Sequence, residues 1–384
     1  MRHLVGFQGG GGIVNKLSLR LFEPTLYGGR FLEDFGGRCQ KYQHTLRLVG
    51  GCWQAQWEFV PPVLTADYGD EWFYNRIGCH FEERLGAMVI WSGIVDEMDY
   101  WWGGWGQRIS LLNVRNRAKA IYVDETGDSQ ETLWNEEPTS VGKFGRIEEI
   151  LELDQADDVK ATQMVAALLS EKGWPQPQPL GVNESADDKL IVRASGYVFT
   201  TNYRFVSVGD GLAQAIGDYV RDIVETDMPF VSPGRIDSND QETLSGTVVP
   251  TRCYEEIRNL LLQRTDPAEP PYTLSVDPNR RFNYYKVDPT PTYFWKNRRL
   301  ADRIGGQGVA NPWLVVPGVI RNARRGPLSP PPGSFLEDGR DMLILEVTMR
   351  DGDTQPIITT TEFSDAAIAA AFQIREDGNE PTGA

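Results

Sequence analysis

The sequence predicts an α+β protein in which β structure dominates, and three observations support this class. The segment from Trp53 to Phe59 alternates apolar with polar residues, which is the pattern of a half-buried strand. The chain has 39 glycines and 24 prolines, which favour turns between many short strands. Helical spacing of apolar residues is concentrated in the middle third of the chain, so we expect β, then α/β, then β structure.

Residues 1–142 are predicted to form an N-terminal β-rich domain. Its expected strands are Lys16–Phe22, Thr45–Val49, Cys52–Val60, Gly86–Val95 and Ile109–Leu112. Seven of the 11 tryptophans lie between Trp53 and Trp105. Because one tryptophan can bury roughly 200 Å², this density suits sheets that pack on each other or on another subunit.

Residues 143–265 are predicted to form an α/β region. Ile147–Leu153 is interpreted as a strand or a short helical turn, and Lys189–Val206 contains a strand that bends at Ser195-Gly196. Three helices are expected: one capped by Asp157 and ended by Gly173, one capped by Ser207 and carrying Leu212, Ile216, Tyr219 and Ile223, and one opened by Thr251.

Residues 266–384 are predicted to form a C-terminal β-rich domain. The expected strands are Arg281–Val287, Thr292–Trp295, Trp313–Ile320 and Met342–Arg350. A Pro-rich connection runs from Arg325 to Pro332, a short terminal helix is expected at Ser364–Phe372, and a polar tail follows.

The charge of the chain argues against nucleic-acid binding. Lys and Arg number 38 against 54 Asp and Glu, a formal net charge of −16. Affinity for nucleic acid comes largely from basic residues that displace counterions, so specific binding is not expected. An acidic lumen would still let DNA pass without capture, although solubility is the ordinary use of such a charge.

No residue set predicts a cofactor, a metal or a catalytic centre. The four cysteines form no CxxC pair and there are three histidines, so zinc ligands are scarce and buried free thiols are expected. Nucleophile-elbow, HExxH and phosphate-loop motifs are absent. The chain has no signal-like apolar run and no segment long enough for stable membrane insertion, so synthesis in a cytosol is expected.

A carbohydrate-binding or carbohydrate-cleaving protein is the alternative. Asp96, Glu97 and Asp99 lie beside Tyr100, Trp101 and Trp102, and glycosidases use two carboxylates next to a sugar stacked on aromatic rings. The competing interpretation is a polar turn whose aromatic side chains pack beneath it or against a partner subunit.

A succession of segments resembles bacteriophage tail proteins of the baseplate-hub type. The resemblance spans most of residues 40 to 300, and it lies in the order of the segments and in the types of residue within them. The segments are Val89–Val95, Gly106–Tyr122, Phe144-Gly145, Ala156–Leu169, Trp174-Pro175, Gly196-Tyr197, Leu212–Ile223 and Ile236–Asn239.

This resemblance implies a structural subunit with two β-barrel-like domains joined by an α/β region. It implies a homo-oligomeric ring, with a trimer favoured and a hexamer as the other form, which joins the tail tube to a distal spike or fibres. The expected neighbours are the tube, distal tail, and spike or fibre proteins. The expected location is the virion tail, assembled in the host cytoplasm. The family contributes no catalytic residue.

Four tryptophans are the candidates for the subunit interface: Trp91, Trp101, Trp102 and Trp105. They lie in or beside the first predicted barrel, and aromatic side chains are enriched in the cores of subunit interfaces. Three placements of the tryptophan cluster stay open at this point: the core of one subunit, an interface, or a surface facing a glycan.

Overall fold

A computed structural model of the chain describes residues 17–24, 29–208, 214–238, 250–262, 272–287, 293–296, 299–302, 317, 319–322, 342–351 and 357–362. The strands are β1 Leu17–Phe22, β2 Phe31–Asp34, β3 Gln40–Arg47, β4 Gly50–Phe59, β5 His80–Leu85, β6 Met88–Trp102, β7 Trp105–Ser110, β8 Arg117–Val123, β9 Ser129–Glu131, β10 Asn135–Glu136, β11 Glu148–Leu153, β12 Gln178–Val182, β13 Lys189–Gly196, β14 Ser232–Ile236, β15 Tyr272–Val276, β16 Arg281–Lys286, β17 Tyr293–Lys296, β18 Arg299–Asp302, β19 Val319–Asn322, β20 Met342–Arg350 and β21 Ile357–Glu362. The helices are α1 Ala66–Asn75, α2 Pro138–Phe144, α3 Asp158–Lys172, α4 Ile216–Asp227 and α5 Cys253–Leu262, with a 3-10 helix at Tyr197–Asn202.

The predicted class, α+β with β dominant, is confirmed. Seventeen strands join in one hydrogen-bonded sheet and four form a second, smaller sheet. In the large sheet β2, β1, β5, β6, β13, β4 and β3 are antiparallel neighbours in that order. This part of the sheet curls around apolar side chains, so that Trp57 on β4 packs 4.7 Å (ring centroid to centroid) from Phe81 on β5.

The two barrels of the prediction are not found among the described strands. In the part of the chain that the structure describes, β2 pairs with β1 alone and β20 occupies the second edge of β3, so no pairing found there joins the ends of the curl. Closure would need the two end strands to pair with each other. The described part of the chain therefore contains a curled, open sheet.

Strands from all three predicted segments share the large sheet. β13, from the middle segment, lies between β4 and β6 of the first. β15 pairs with β4, β14 pairs with β16, and β20 pairs with β3. The division into three domains at residues 142 and 265 stays a prediction. Strand pairings join residues that lie on opposite sides of each of these two boundaries.

The smaller sheet packs on α3. β8 pairs in parallel with β11 on one edge and with β9 and β10 on the other. Ala118, Ala120 and Tyr122 form a second core with Ala161 and Val165 of the helix. Asp157 caps α3 by accepting a hydrogen bond from the Lys160 amide, and Gly173 lies at its end, as predicted. This α/β packing includes β8, which precedes residue 143.

The predicted cap at Ser207 is wrong. α4 begins at Ile216 with Ala215 in the cap position. The Ser207 hydroxyl instead donates to the Asp227 carboxylate at the other end of the helix. Tyr219 and Ile223 are buried as expected, whereas Leu212 lies outside the described residues, as do the Pro-rich connection and the expected terminal helix.

Helix α1 lies between two of the expected strands and was not predicted. Trp72, Phe73 and Gly69 form its buried face, and Thr65 caps it by accepting a hydrogen bond from the Tyr68 amide. No helix in the described part of the chain combines the length and apolarity that crossing a membrane requires.

Replacing Thr65 with alanine is expected to lower the free energy of unfolding by about 1 kcal/mol, because one amide of the first turn loses its acceptor. Chemical denaturation measures the change. Thr65→Ser is the matched control and should retain most of the stability, since its hydroxyl can accept the same hydrogen bond. Equal losses in both variants would contradict the capping role.

Candidate interaction surface at the aromatic hairpin

Three of the four candidate tryptophans lie at the tip of one hairpin. β6 ends in Trp101 and Trp102, β7 begins with Trp105, and Gly103-Gly104 forms the turn with φ of 55° and 82°. Both turn residues are in the left-handed region that glycine adopts without strain. The Gly103 amide donates to Asp188 over 2.8 Å, which ties the turn to the chain segment before β13.

The tryptophans of the tip lie on both faces of the hairpin. Trp102 and Trp105 are directly opposite each other and are 36% and 67% exposed. Trp101 pairs with Gly106, and a Cβ atom at Gly106 would lie 2.7 Å from its indole ring. The missing side chain of Gly106 therefore lets Trp101 lie flat on the strand, whereas Trp102 and Trp105 reach solvent.

Trp91 is placed elsewhere. It is fully buried, its indole N–H donates to the Thr45 carbonyl over 3.2 Å, and its ring packs against Phe81. A side chain in this position stabilises the curled sheet. Of the four candidates, Trp102 and Trp105 are exposed, and Trp101 lies on the opposite face of the hairpin.

The strand beside the hairpin is paired along one edge among the described residues. β12 pairs with β7 along one side, and no pairing with its other side is found among the described residues. All five of its residues are exposed, including Leu180 and Val182, and Val182 lies directly opposite Trp105. An exposed strand edge next to exposed aromatic rings is a surface that favours pairing with another chain.

Two of the three carboxylates proposed for sugar cleavage form ion pairs with arginines. Asp99 accepts hydrogen bonds from Arg108 over 2.6 and 3.1 Å and from Arg193 over 2.9 Å. Glu97 accepts one from Arg193 over 2.6 Å. Burial alone would raise the pKa of Asp99, but the two guanidinium groups hold it below its ordinary value. These two groups form a structural ion network and do not supply a free general acid.

Asp96 occupies a β-bulge and accepts its side-chain hydrogen bond from a hydroxyl group. On β13, Ala194 pairs with Val95 and Arg193 with Glu97, so Asp96 is the extra residue. Its carboxylate accepts a hydrogen bond from the Ser195 hydroxyl. Burial raises the pKa of Asp96 to about 7, even though the Ser195 hydrogen bond acts in the opposite direction.

Asp96 is expected to make the protein less stable as the pH rises. Its folded pKa of about 7 exceeds the ordinary 3.8, so between these values the folded state binds more protons than the unfolded state. The free energy of unfolding should therefore fall from about pH 4 to pH 7. Asp96→Asn should remove this dependence and be more stable at pH 8 by about 1 to 3 kcal/mol. Denaturant titrations across that range measure both, and parallel profiles for the two proteins would contradict the assignment.

Two buried polar clusters were missed by the sequence interpretation. Inside the curl, the Tyr42 hydroxyl donates to Glu83 over 2.6 Å and His44 contacts the same carboxylate oxygen. Burial, followed by the charge of Glu83, raises the pKa of Tyr42. β3 and β5 are not neighbours in the sheet, so this cluster cross-links the curl through its interior.

The second cluster surrounds His80 beside a small pocket. The Tyr197 hydroxyl lies 2.6 Å from its Nδ1 atom, and Glu82 lies 3.0 Å from Nε2. Burial lowers the pKa of His80, so the ring is neutral near pH 7. The pocket is also lined by Lys143, Phe144 and Tyr203. Both ring nitrogens of His80 have hydrogen-bond partners inside the protein, so this cluster joins β5 to the 3-10 helix.

The cysteines are free thiols, three buried and Cys39 half-buried. Burial raises the pKa of Cys52 to about 12 and that of Cys79 to about 12, which makes these thiols unreactive near neutral pH. Within the described part of the chain, no group of three or more His, Cys, Asp or Glu side chains is placed to hold a metal ion.

No protein-family model matches the chain, and no curated protein matches its sequence. Among solved structures, the 43 kDa tail protein of prophage MuSo2 from Shewanella oneidensis is similar over 91% of this chain and 97% of its own, with 9% identity and a TM-score of 0.42. A tail protein from Neisseria meningitidis MC58 is similar over 87% and 91%, with 9% identity and a TM-score of 0.39.

Proposed function

We propose that the chain is a structural subunit of a bacteriophage or prophage-derived tail, forming the hub or tail-tip ring that joins the tail tube to the distal spike or fibres. The observation that carries this proposal is the aromatic hairpin beside β12, a strand for which the described residues provide one neighbour, where Trp102, Trp105, Leu180 and Val182 are exposed together. Folded monomers usually cover such surfaces, whereas subunits of assemblies present them to neighbours. The sequence resemblance to hub-type tail proteins supplies the kind of assembly.

The role is mechanical, without catalysis. Glu97 and Asp99 are bound to arginines, Asp96 is buried, and both ring nitrogens of His80 have partners. These polar groups contribute to holding neighbouring elements together. The geometry supports a subunit whose work is to bind its neighbours in fixed orientations.

The ring is a homo-oligomer, with a trimer favoured over a hexamer, and it contacts tube, distal tail, and spike or fibre proteins in the virion after assembly in the host cytoplasm. The acidic net charge of −16 fits a lumen through which DNA passes without being captured. Specific nucleic-acid binding and stable membrane insertion are not part of the proposal.

The test is the native mass of the purified chain across a dilution series, by light scattering or native mass spectrometry. A stable trimer or hexamer is expected, and Trp105→Ala should shift its dissociation to higher protein concentration. Leu133→Ala is the matched control, because Leu133 is 88% exposed but lies between β9 and β10, outside the hairpin. A monomer at every concentration would contradict the homo-oligomeric ring.

Carbohydrate binding is the second candidate, and the two exposed tryptophans are the observation that favours it. Indole rings at a surface provide flat apolar platforms, and Asp70 and Glu184 nearby are exposed acceptors. This candidate predicts that sugars quench tryptophan fluorescence and that Trp105→Ala removes the quenching. Absence of quenching across a glycan panel, together with a stable oligomer, would exclude it.

A further inference from the structure

A narrow pocket lies beside His80, where helix α2 meets the curled sheet. Its free volume of about 20 Å³ holds little more than one water-sized group. Three polar side chains line it besides His80, namely Lys143, Tyr197 and Tyr203, and the other lining side chains are apolar. A concave site with apolar walls and a few convergent polar groups is the usual form of a binding pocket for small ligands.

Lys143 supplies the pocket with an ammonium group. It lies in the last turn of α2, its side chain is half-buried, and its Nζ atom is 5.1 Å from the centroid of the Phe144 ring. Burial lowers the pKa of Lys143, and no carboxylate in the described part of the chain acts on it in the opposite direction. The charge of Lys143 is therefore partly removed from water without a counter-charge.

Other partly buried cations of this chain are paired with carboxylates. Lys119 lies 2.5 Å from Glu131, and Arg115 lies 2.7 Å from Glu149. The same is true of further arginines: Arg47, Arg84, Arg117, Arg193, Arg204 and Arg252. A chain with 54 acidic residues and a formal net charge of −16 has carboxylates in excess. Against this background, an unpaired, half-buried cation in a pocket indicates a site for an anion that comes from outside the chain.

The Tyr203 hydroxyl is a second donor for which the described residues provide no acceptor. Burial, followed by the charge of Asp96, raises the pKa of Tyr203, so the hydroxyl keeps its proton near neutral pH. The Tyr197 hydroxyl differs, because it lies 2.6 Å from the Nδ1 atom of His80. Lys143 and Tyr203 are therefore the lining groups that can donate to a ligand.

Two carboxylates near this pocket are engaged elsewhere. Glu82 lies 3.0 Å from the Nε2 atom of His80 and accepts a hydrogen bond from Arg84 over 2.7 Å. Asp96 is buried and accepts a hydrogen bond from the Ser195 hydroxyl. These groups do not supply the missing acceptor, which leaves the two donors of the pocket available to a ligand.

We propose that the pocket binds a carboxylate group, with the Lys143 ammonium and the Tyr203 hydroxyl as donors to its oxygens. The narrow free volume admits a flat carboxylate more readily than a tetrahedral phosphate. Hydrogen bonds to a charged group are about twice as strong as neutral ones. A short aliphatic acid and the acidic side chain of another protein present the same group. The site goes beyond the proposed ring and is independent of it, since none of its lining residues belongs to the aromatic hairpin.

The reactivity of the Lys143 amine tests the site. The purified chain is labelled near neutral pH with an N-hydroxysuccinimide ester, and mass spectrometry gives the rate at each lysine. Saturating sodium butyrate should slow the labelling of Lys143 about tenfold, because the carboxylate raises the pKa of the amine and so lowers the fraction of reactive free amine. Lys160, which is exposed on α3, is the internal control and should be labelled at the same rate with and without butyrate. Sodium chloride at equal concentration controls for ionic strength.

Two substitutions and a control identify the donors. Lys143→Met removes the charge but keeps an unbranched side chain beside Phe144, so its Tm should equal or exceed that of the wild type. Butyrate should raise the Tm of the wild type and of Lys160→Met, and it should leave that of Lys143→Met unchanged. Tyr203→Phe should weaken the protection of Lys143 by butyrate at least about tenfold, because it removes a hydrogen bond to a charged group. This second variant keeps the test decisive if Lys143→Met does not fold.

Two probes separate the sources of the carboxylate. Stronger protection of Lys143 by butyrate than by the α-amide of N-acetylglutamate assigns the site to a free short acid, and the reverse order assigns it to an acidic side chain of another protein. Equal labelling of Lys143 in chloride, butyrate and the glutamate derivative would overturn the site. Protection by sodium phosphate as strong as that by butyrate would overturn its preference for carboxylates. The native mass of the chain measures the ring separately, so either proposal can fail while the other stands.

Discussion

Replacing Trp57 with alanine is expected to lower the free energy of unfolding by about 3 to 5 kcal/mol. The indole is fully buried at the centre of the curl, with Phe35, Trp72 and Phe81 all within 6.2 Å of its ring, centroid to centroid. Its removal opens a cavity between strands that cannot approach each other without breaking their pairing. Denaturant unfolding followed by circular dichroism measures the loss.

Trp105→Ala is the matched control for this substitution. The same chemical change at a side chain that is 67% exposed should alter the stability of the isolated chain by less than about 0.5 kcal/mol. It should instead weaken assembly. A large stability loss at Trp105, or a small one at Trp57, would contradict the division of the tryptophans into core and surface sets.

The second large effect is expected at Glu148. This carboxylate is 3% exposed, forms an ion pair with Arg117, lies 3.6 Å from Arg204, and accepts the Phe205 amide over 3.0 Å. It therefore links β11 of the small sheet to the segment that follows the 3-10 helix. Glu148→Ala should cost about 3 kcal/mol, because the partly buried guanidinium groups of Arg117 and Arg204 would lose their nearest carboxylate and the Phe205 amide would lose its acceptor.

Glu152→Ala provides the comparison on the same strand, since Glu152 is exposed and should tolerate the change. Removing Arg117 together with Glu148 should cost less than the two single losses combined, because the double variant leaves one fewer unpaired charge. Additive losses would mean that the pair does not interact energetically. Urea titration of the four proteins gives the coupling.

Local patterns in the sequence predicted individual elements well. Alternation located β4, and the capping aspartate and terminal glycine located α3, because these signals depend on neighbours within one turn or one strand. Helix α1 was not predicted, although Thr65 provides a cap of the same kind as the one that located α3. The cap at Ser207 was wrong because its side chain binds Asp227, a residue distant in sequence.

The candidate surface was predicted in part. The density of tryptophans was visible, but the pattern did not separate Trp91, which is fully buried, from Trp105, which is 67% exposed. Both lie in aromatic, strand-forming segments. Only the packing of β6 against β5 and β13 decides which ring is covered. The ion network of Asp99 with Arg108 and Arg193 likewise joins residues up to 94 positions apart.

The sequence by itself determined the β-dominant class, the period of the clearest strands, the acidic charge and the supply of aromatic side chains, since each follows from composition or from spacing along a few residues. Within the described residues, the tertiary structure decided that the sheet curls without a closing pairing, that β12 is paired along one edge, and that Trp102 and Trp105 remain at the surface. Those features depend on which strands pair across hundreds of residues, and local alternation carries no information about the partner of a strand.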